Sequence, residues 1–158
     1  MLAHIPGATS RAALNFRGPN LMTCSANLQR VTHADEPLEG LRLLIVEDDY
    51  FVASELASSL RLRGASIVGP AGNVRRAREL LRRERPDLAL LDINLNGYPD
   101  FELAAQLRAA QVGVIFTTGY DAQFLPAQFQ ETPCLQKPLN LSALVSMIGT
   151  ALRPLPTQ

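Results

Sequence analysis

From Leu41 onward the chain alternates short apolar runs with longer amphipathic stretches, the pattern of a parallel sheet covered by helices. Five short runs read as strands: Arg42 to Val46, Ser66 to Gly69, Leu88 to Leu91, Gly113 to Thr117 and Cys134 to Gln136. Each is too short for a helix, and most are bounded by Gly, Pro or Asp. Their apolar content predicts burial on both faces. Between them, Phe51 to Arg63 carries Val52, Leu56 and Leu60 at i+4 spacing, while Val74 to Glu84 carries Val74, Ala77 and Leu81. Phe101 to Ala110 forms a third helix. Leu141 to Leu152 forms the last, with Asn140 as its N-cap and a stripe of Leu141, Leu144, Val145, Ile148 and Leu152. Five βα units of one α/β domain fit this order.

Residues 1 to 39 behave differently, mixing Pro6, Gly7, Gly18, Pro19, Asn20 and Pro37 among polar positions without a sustained period of 2 or 3.6. They read as a flexible N-terminal extension, either a functional tail or sequence upstream of the natural start. The domain proper is expected at 40–153, with 154–158 a C-terminal tail. Nothing from Arg153 to Gln158 can form a DNA-binding or enzymatic output domain, so the sequence reads as a stand-alone unit. The second helix carries Arg75, Arg76, Arg78, Arg82, Arg83 and Arg85, which read as a solvated face in preference to phosphate contacts.

Charge narrows the function classes. Among the 158 residues, fifteen acidic and fifteen basic side chains give a formal net charge of zero, so no global field steers the chain toward nucleic acid or an anionic membrane. No apolar run approaches the roughly 20 residues needed to span a bilayer, and the N-terminus lacks signal-peptide order. Cys24 and Cys134 stand far apart with no CxxC spacing or nearby His pair, which indicates neither a disulfide framework nor a zinc site. A cytoplasmic protein is expected, binding neither nucleic acid nor membrane. The basic set holds one lysine, Lys137, among fourteen arginines.

The chemistry gathers at strand ends, where an open doubly wound sheet places its functional groups. The first strand runs into Glu47-Asp48-Asp49, the third into Asp92, the fourth into Thr117-Thr118-Gly119 and the fifth into Lys137-Pro138. Glu47, Asp48 and Asp92 brought together would repel unless a cation joined them, and hard oxygen ligands suit Mg²⁺. Such a site would neutralise a phosphoryl donor while Asp92 attacks, with the Thr118 hydroxyl and the Lys137 ammonium on the remaining oxygens. A lysine presents a compact charge to one phosphate oxygen, whereas arginine prefers a planar bidentate partner. Taken singly, each piece reads as a turn, cap or loop residue. Their joint occurrence at four successive strand ends carries the argument.

These residues resemble the receiver domain of response regulators: "LLIVEDD", "LALLDINLNG", "VIFTTGY" and "CLQKPL" match its four signatures across about Leu41 to Leu152. The resemblance implies a flavodoxin-like (βα)5 fold with a five-stranded parallel sheet in the order 2-1-3-4-5, an order the receiver CheY itself exemplifies. It implies Glu47 and Asp48 as the acidic metal pair, Asp92 as phosphoacceptor and metal ligand, and Asn94 as a ligand through its backbone carbonyl. Thr118 and Lys137 would bind the phosphoryl group, Mg²⁺ would be the cofactor, and a histidine kinase or histidine phosphotransfer protein the donor. An unknown downstream protein would read the modified surface, the chain being a monomer or weak homodimer.

Two positions depart from the family. Receivers commonly carry Tyr or Phe three residues before the lysine as a rotameric switch, and this chain has Cys134 there. "FTTGY" is similar to the Phe-Ala-Thr-Gly-Tyr subgroup of α-proteobacterial single-domain receivers, which also lacks that aromatic. Tyr120 is the candidate replacement and water shield, and Cys134 reads as a small buried hydrophobe rather than a redox centre. The stretch from Thr118 to Lys137 is short and contains Pro126 and Pro133, so a short or mobile fourth helix is expected. The leading reading is therefore a binding module switched by phosphorylation, not an enzyme. The alternatives are a degenerate receiver that works without phosphorylation and an aspartate-nucleophile phosphatase of the haloacid dehalogenase type. The phosphatase needs a second Asp two residues on, where this chain has Asn94.

Overall fold

The computed structural model describes residues 38–119 and 125–152. Its elements, in chain order, are β1 Arg42–Val46, α1 Tyr50–Arg61, β2 Ser66–Ala71, α2 Val74–Glu84, β3 Leu88–Asp92, β4 Asn94–Leu95 and β5 Tyr98–Pro99. There follow α3 Phe101–Ala109, β6 Gly113–Thr118, a 3₁₀ turn at Ala127–Phe129, β7 Cys134–Gln136 and α4 Leu141–Ala151.

Five parallel strands form the main sheet in the order β2-β1-β3-β6-β7, which is 2-1-3-4-5 when these five are counted along the chain. The central strands β3 and β6 are buried at every position, because helices cover both faces. Side chains alternate between two apolar layers: Leu44, Val46, Leu91 and Phe116 enter the layer closed by α2 and α3, while Leu43, Ile45, Leu90 and Ile115 enter the layer closed by α1 and α4. Each helix starts on a side-chain oxygen, which satisfies amides that would otherwise lack a partner. Asp49 Oδ1 accepts from Phe51 and Val52, and Asn73, Asp100 and Asn140 cap α2, α3 and α4.

The differences from the sequence reading are local. α1 begins one residue earlier and ends two earlier, and β2 runs on to Ala71. Among the described residues there are four α-helices, and the connection between β6 and β7 contains a 3₁₀ turn where a fifth helix would complete the (βα)5 pattern. Pro126 sits at its N-cap and Pro133 beyond it; residues 120–124 of the stretch expected to hold a short or mobile fourth helix lie outside the described residues. The folded unit also begins earlier than expected. Leu38, assigned to the flexible extension, is 2% exposed, and its N–H donates to the Arg63 carbonyl at 2.8 Å. The remainder of the extension and the tail beyond Leu152 lie outside the described residues.

Candidate functional site

The parallel sheet brings the ends of β1, β3, β6 and β7 to one edge. Glu47 follows β1, and its N–H donates to the Ala71 carbonyl at 3.0 Å, so β2 holds it after the regular pairing has ended. Asp92 is the last residue of β3, paired with Thr117 of β6. Thr118 ends β6 and is buried; its carbonyl accepts the Lys137 N–H at 2.7 Å. That bond fixes the backbone from which the lysine side chain starts.

The Lys137 Nζ then reaches back across the sheet, 2.6 Å from Asp92 Oδ2 and 2.7 Å from Glu47 Oε2. Both carboxylates are nearly sealed from solvent, Glu47 at 4% and Asp92 at 5% exposure. Their mutual repulsion is tolerable only with a cation between them. Burial raises the Glu47 pKa above its ordinary 4.5, against the opposing Lys137 hydrogen bond, and the Asp92 charge adds to the rise. Burial works against the Lys137 ammonium as well, but the hydrogen bonds and charges of Asp92 and Glu47 outweigh it and hold the pKa above 10.5.

Asp48 completes the acidic group from the exposed side. One ligand oxygen from each of Glu47, Asp48 and Asp92 lies within 4.8 Å of the others, and this all-oxygen set fits a hard divalent cation such as Mg²⁺. Asp48 Oδ2 also accepts the Asn96 N–H at 3.0 Å, which ties the loop after β3 to the β1 end. Asn94, two residues past Asp92, donates its N–H to Asp92 Oδ1 at 2.9 Å and opens the small hairpin β4–β5.

Sequence reasoning missed this hairpin, although Asn96-Gly97 carried the signal. Both residues have positive φ, 55° and 86°, the combination that two-residue hairpin turns require. It also missed Asp49, which serves as the α1 cap and not as part of the acidic group. Tyr120 lies outside the described residues. Cys134 pairs in register with Phe116 and packs against the α2/α3 layer, but it is half-buried and not fully buried as expected. Among the described residues, no helix is long and apolar enough to cross a membrane.

Comparison with known proteins agrees with this geometry. The chain is 28% identical over 115 residues to the transcriptional regulatory protein PdtaR of Mycobacterium tuberculosis, an alignment covering 70% of this chain and 56% of that protein. It is 34% identical over 119 residues to the positive alginate biosynthesis regulatory protein of Pseudomonas aeruginosa, covering 72% of this chain and 48% of the other. The chain thus spans about half the length of these curated relatives. Among solved structures, the PhyR receiver domain of Erythrobacter litoralis superposes with a TM-score of 0.66 at 28% identity, covering 76% of this chain and 97% of that one. SdrG from Sphingomonas melonis Fr1 gives 0.63 at 28%, covering 72% and 97%. The family model for the response regulator receiver domain matches residues 43–149, and with that match the chain belongs to the response regulator receiver family of two-component signalling.

Proposed function

We propose that the chain is a phosphorylation-switched receiver in which Asp92 accepts a phosphoryl group from a histidine kinase or histidine phosphotransfer protein. The observation that carries this reading is the single lysine of the chain, held within 2.7 Å of both Asp92 and Glu47 at the sheet edge. An Asp92 oxygen bonds to phosphorus as the donor's phosphorus–nitrogen bond breaks, and the imidazole leaves with the bonding pair. Lys137 is already beside the attacked carboxylate and pairs with an oxygen of the incoming group. Thr118 supplies a hydroxyl at the end of the neighbouring strand.

Glu47, Asp48, Asp92 and the Asn94 carbonyl would hold Mg²⁺, which supplies charge neutralisation for the transferring group. The acidic set is the right chemistry for that ion and includes the proposed phosphoacceptor itself. Output then passes through protein contacts or onward phosphate relay, because phosphorylation takes the Asp92 side chain from one negative charge to roughly two and adds an oxygen-rich group that can bias a two-state surface. Asn94 leaves the haloacid dehalogenase reaction without its general acid, and the presence of Glu47, Asp48, Asp92, Thr118 and Lys137 in the sequence supports the phosphorylated reading over a degenerate receiver.

The test is intact-protein mass after incubation with a small phosphodonor, with and without Mg²⁺, on wild type and Asp92→Asn. One added phosphoryl group that needs both Mg²⁺ and Asp92 is the expected result; no gain in folded wild type removes the reading. Tyr120 is proposed to shield the acyl phosphate from water. An unchanged phosphoryl lifetime in Tyr120→Ala would remove that role.

A further inference from the structure

The chain lacks an aromatic on β7, and the space beside Phe116 is filled from elsewhere. Cys134 stands opposite Phe116, and into the same layer the β6–β7 connection inserts Phe129, 1% exposed. The Phe129 ring lies 5.6 Å from Phe116 at 80° and stacks on Phe101 at 5.7 Å and 23°, while Phe101 and Phe116 meet edge to face at 6.3 Å. These separations and angles are those of favourable ring pairs. Two members of this trio border the site. Phe116 precedes Thr118 by two residues on the same face of β6, and Phe101 opens α3 immediately after Asp100, whose N–H donates to the Ile93 carbonyl at 3.3 Å beside Asp92.

The third member has little backbone structure to hold it. The described part of the connection contributes one 3₁₀ turn, with Phe129 N–H on the Pro126 carbonyl at 2.8 Å and Thr132 N–H on the Phe129 carbonyl at 3.0 Å. The Pro133 carbonyl ties the end of the connection to β6 by accepting the Phe116 N–H at 2.8 Å, and Arg108, in the last turn of α3, adds side-chain attachments. Its Nη1 donates to the Gln128 carbonyl at 2.8 Å, its Nη2 to the Thr132 hydroxyl at 2.7 Å, and its guanidinium lies 4.8 Å from the Phe129 ring centroid. The planar fork makes all three contacts at once, which an ammonium cannot do. Burial disfavours the guanidinium charge, partly offset by Glu131 nearby.

We propose that Phe129 is the coupling aromatic of this receiver and Arg108 its positioning residue. A shift of Thr118 or of the loop after Asp92 moves Phe116 or Phe101, and Phe129 carries that shift into residues 125–132. The responsive surface is then this connection with the adjoining end of α3. Three contacts from one arginine and a closed ring trio leave the segment two ways to sit, docked or undocked, and little between.

The inference rests on Asp92 phosphorylation, so the test on the full chain reads chemistry and coupling separately. Mass gain from a small phosphodonor reports the chemistry. Amide hydrogen exchange of residues 125–132, with and without beryllium trifluoride plus Mg²⁺, reports the coupling. Wild type should gain one phosphoryl group and change exchange across 125–132 by about threefold or more. Phe129→Leu should keep the mass gain and lose that change. Arg108→Ala should exchange rapidly in both states, with Arg108→Lys restoring part of the wild-type response; this pair carries the test should Phe129→Leu fail to fold. A phosphorylated wild type with unchanged exchange at 125–132, or either Phe129→Leu or Arg108→Ala with a wild-type response, overturns the coupling alone. No mass gain in wild type overturns the phosphoacceptor reading and this inference with it.

Discussion

Two regions a few residues apart are held by opposite physics. At the carboxyl ends of the strands, Glu47, Asp92 and Lys137 are fixed by charge, with one oxygen of each carboxylate drawn toward the Lys137 ammonium. In the connection from β6 to β7, Phe101, Phe116 and Phe129 are fixed by ring contacts, with one guanidinium closing the outside. The first region should respond to ions and pH. The second responds to shape. A receiver needs both, because a charge added at one place has to become a rearranged surface at another.

Mutations should separate these regions. The largest effect is expected in the ring region, where Phe129→Ala removes a buried ring and should cost about 4 kcal/mol. That loss should not depend on Mg²⁺, as urea unfolding at several Mg²⁺ concentrations will show. In the charged region, Lys137→Met leaves two nearly buried carboxylates without their cation and should cost about 2 kcal/mol, reduced because the lysine keeps some exposure. Here Mg²⁺ should recover part of the loss. Equal responses of the two variants to Mg²⁺ would break the distinction.

The pH dependence sharpens it. Because the folded Lys137 pKa lies above 10.5, its stabilisation is fully present below that value and is lost as pH rises through the folded pKa. The stability gap between wild type and Lys137→Met in chelator should therefore hold from neutral pH up to the ordinary lysine value of 10.5 and shrink above it, with no matching change in the gap to Phe129→Ala. The smallest effect belongs to the hairpin after Asp92. Gly97 has φ 86° but nothing within 4 Å of an added Cβ, so Gly97→Ala meets backbone strain alone, about 1 kcal/mol. Thermal unfolding should show it as a small loss without altered Mg²⁺ response.

The same contrast explains what was legible in the sequence. β1 and β7 were readable to the residue, since apolar runs between Gly, Pro and Asp have few other readings, and the acidic and basic groups at their ends follow from strand polarity. The hairpin escaped because strands of two residues carry no periodicity, and only Asn96-Gly97 announced it. Phe129 escaped for a different reason. Its partners stand 13 and 28 positions earlier, and no local pattern ties rings at such separations. Leu38 was a single apolar residue after Pro37, with no run to mark it. Charge at strand ends is a local signal, whereas packing between distant segments is not.

Leu38 also decides how the molecule can be handled. Its amide is pinned to Arg63 just past α1, below the start of β1, while Asp92 stands at the far end of the sheet, about five residues or roughly 16 Å of strand away. A fluorophore, affinity tag or surface tether joined directly at Leu38 therefore starts from the pole opposite Asp92. Trimming to Leu41 instead would pull a plug from the aliphatic layer, and the shortened chain should melt earlier for reasons unrelated to signalling.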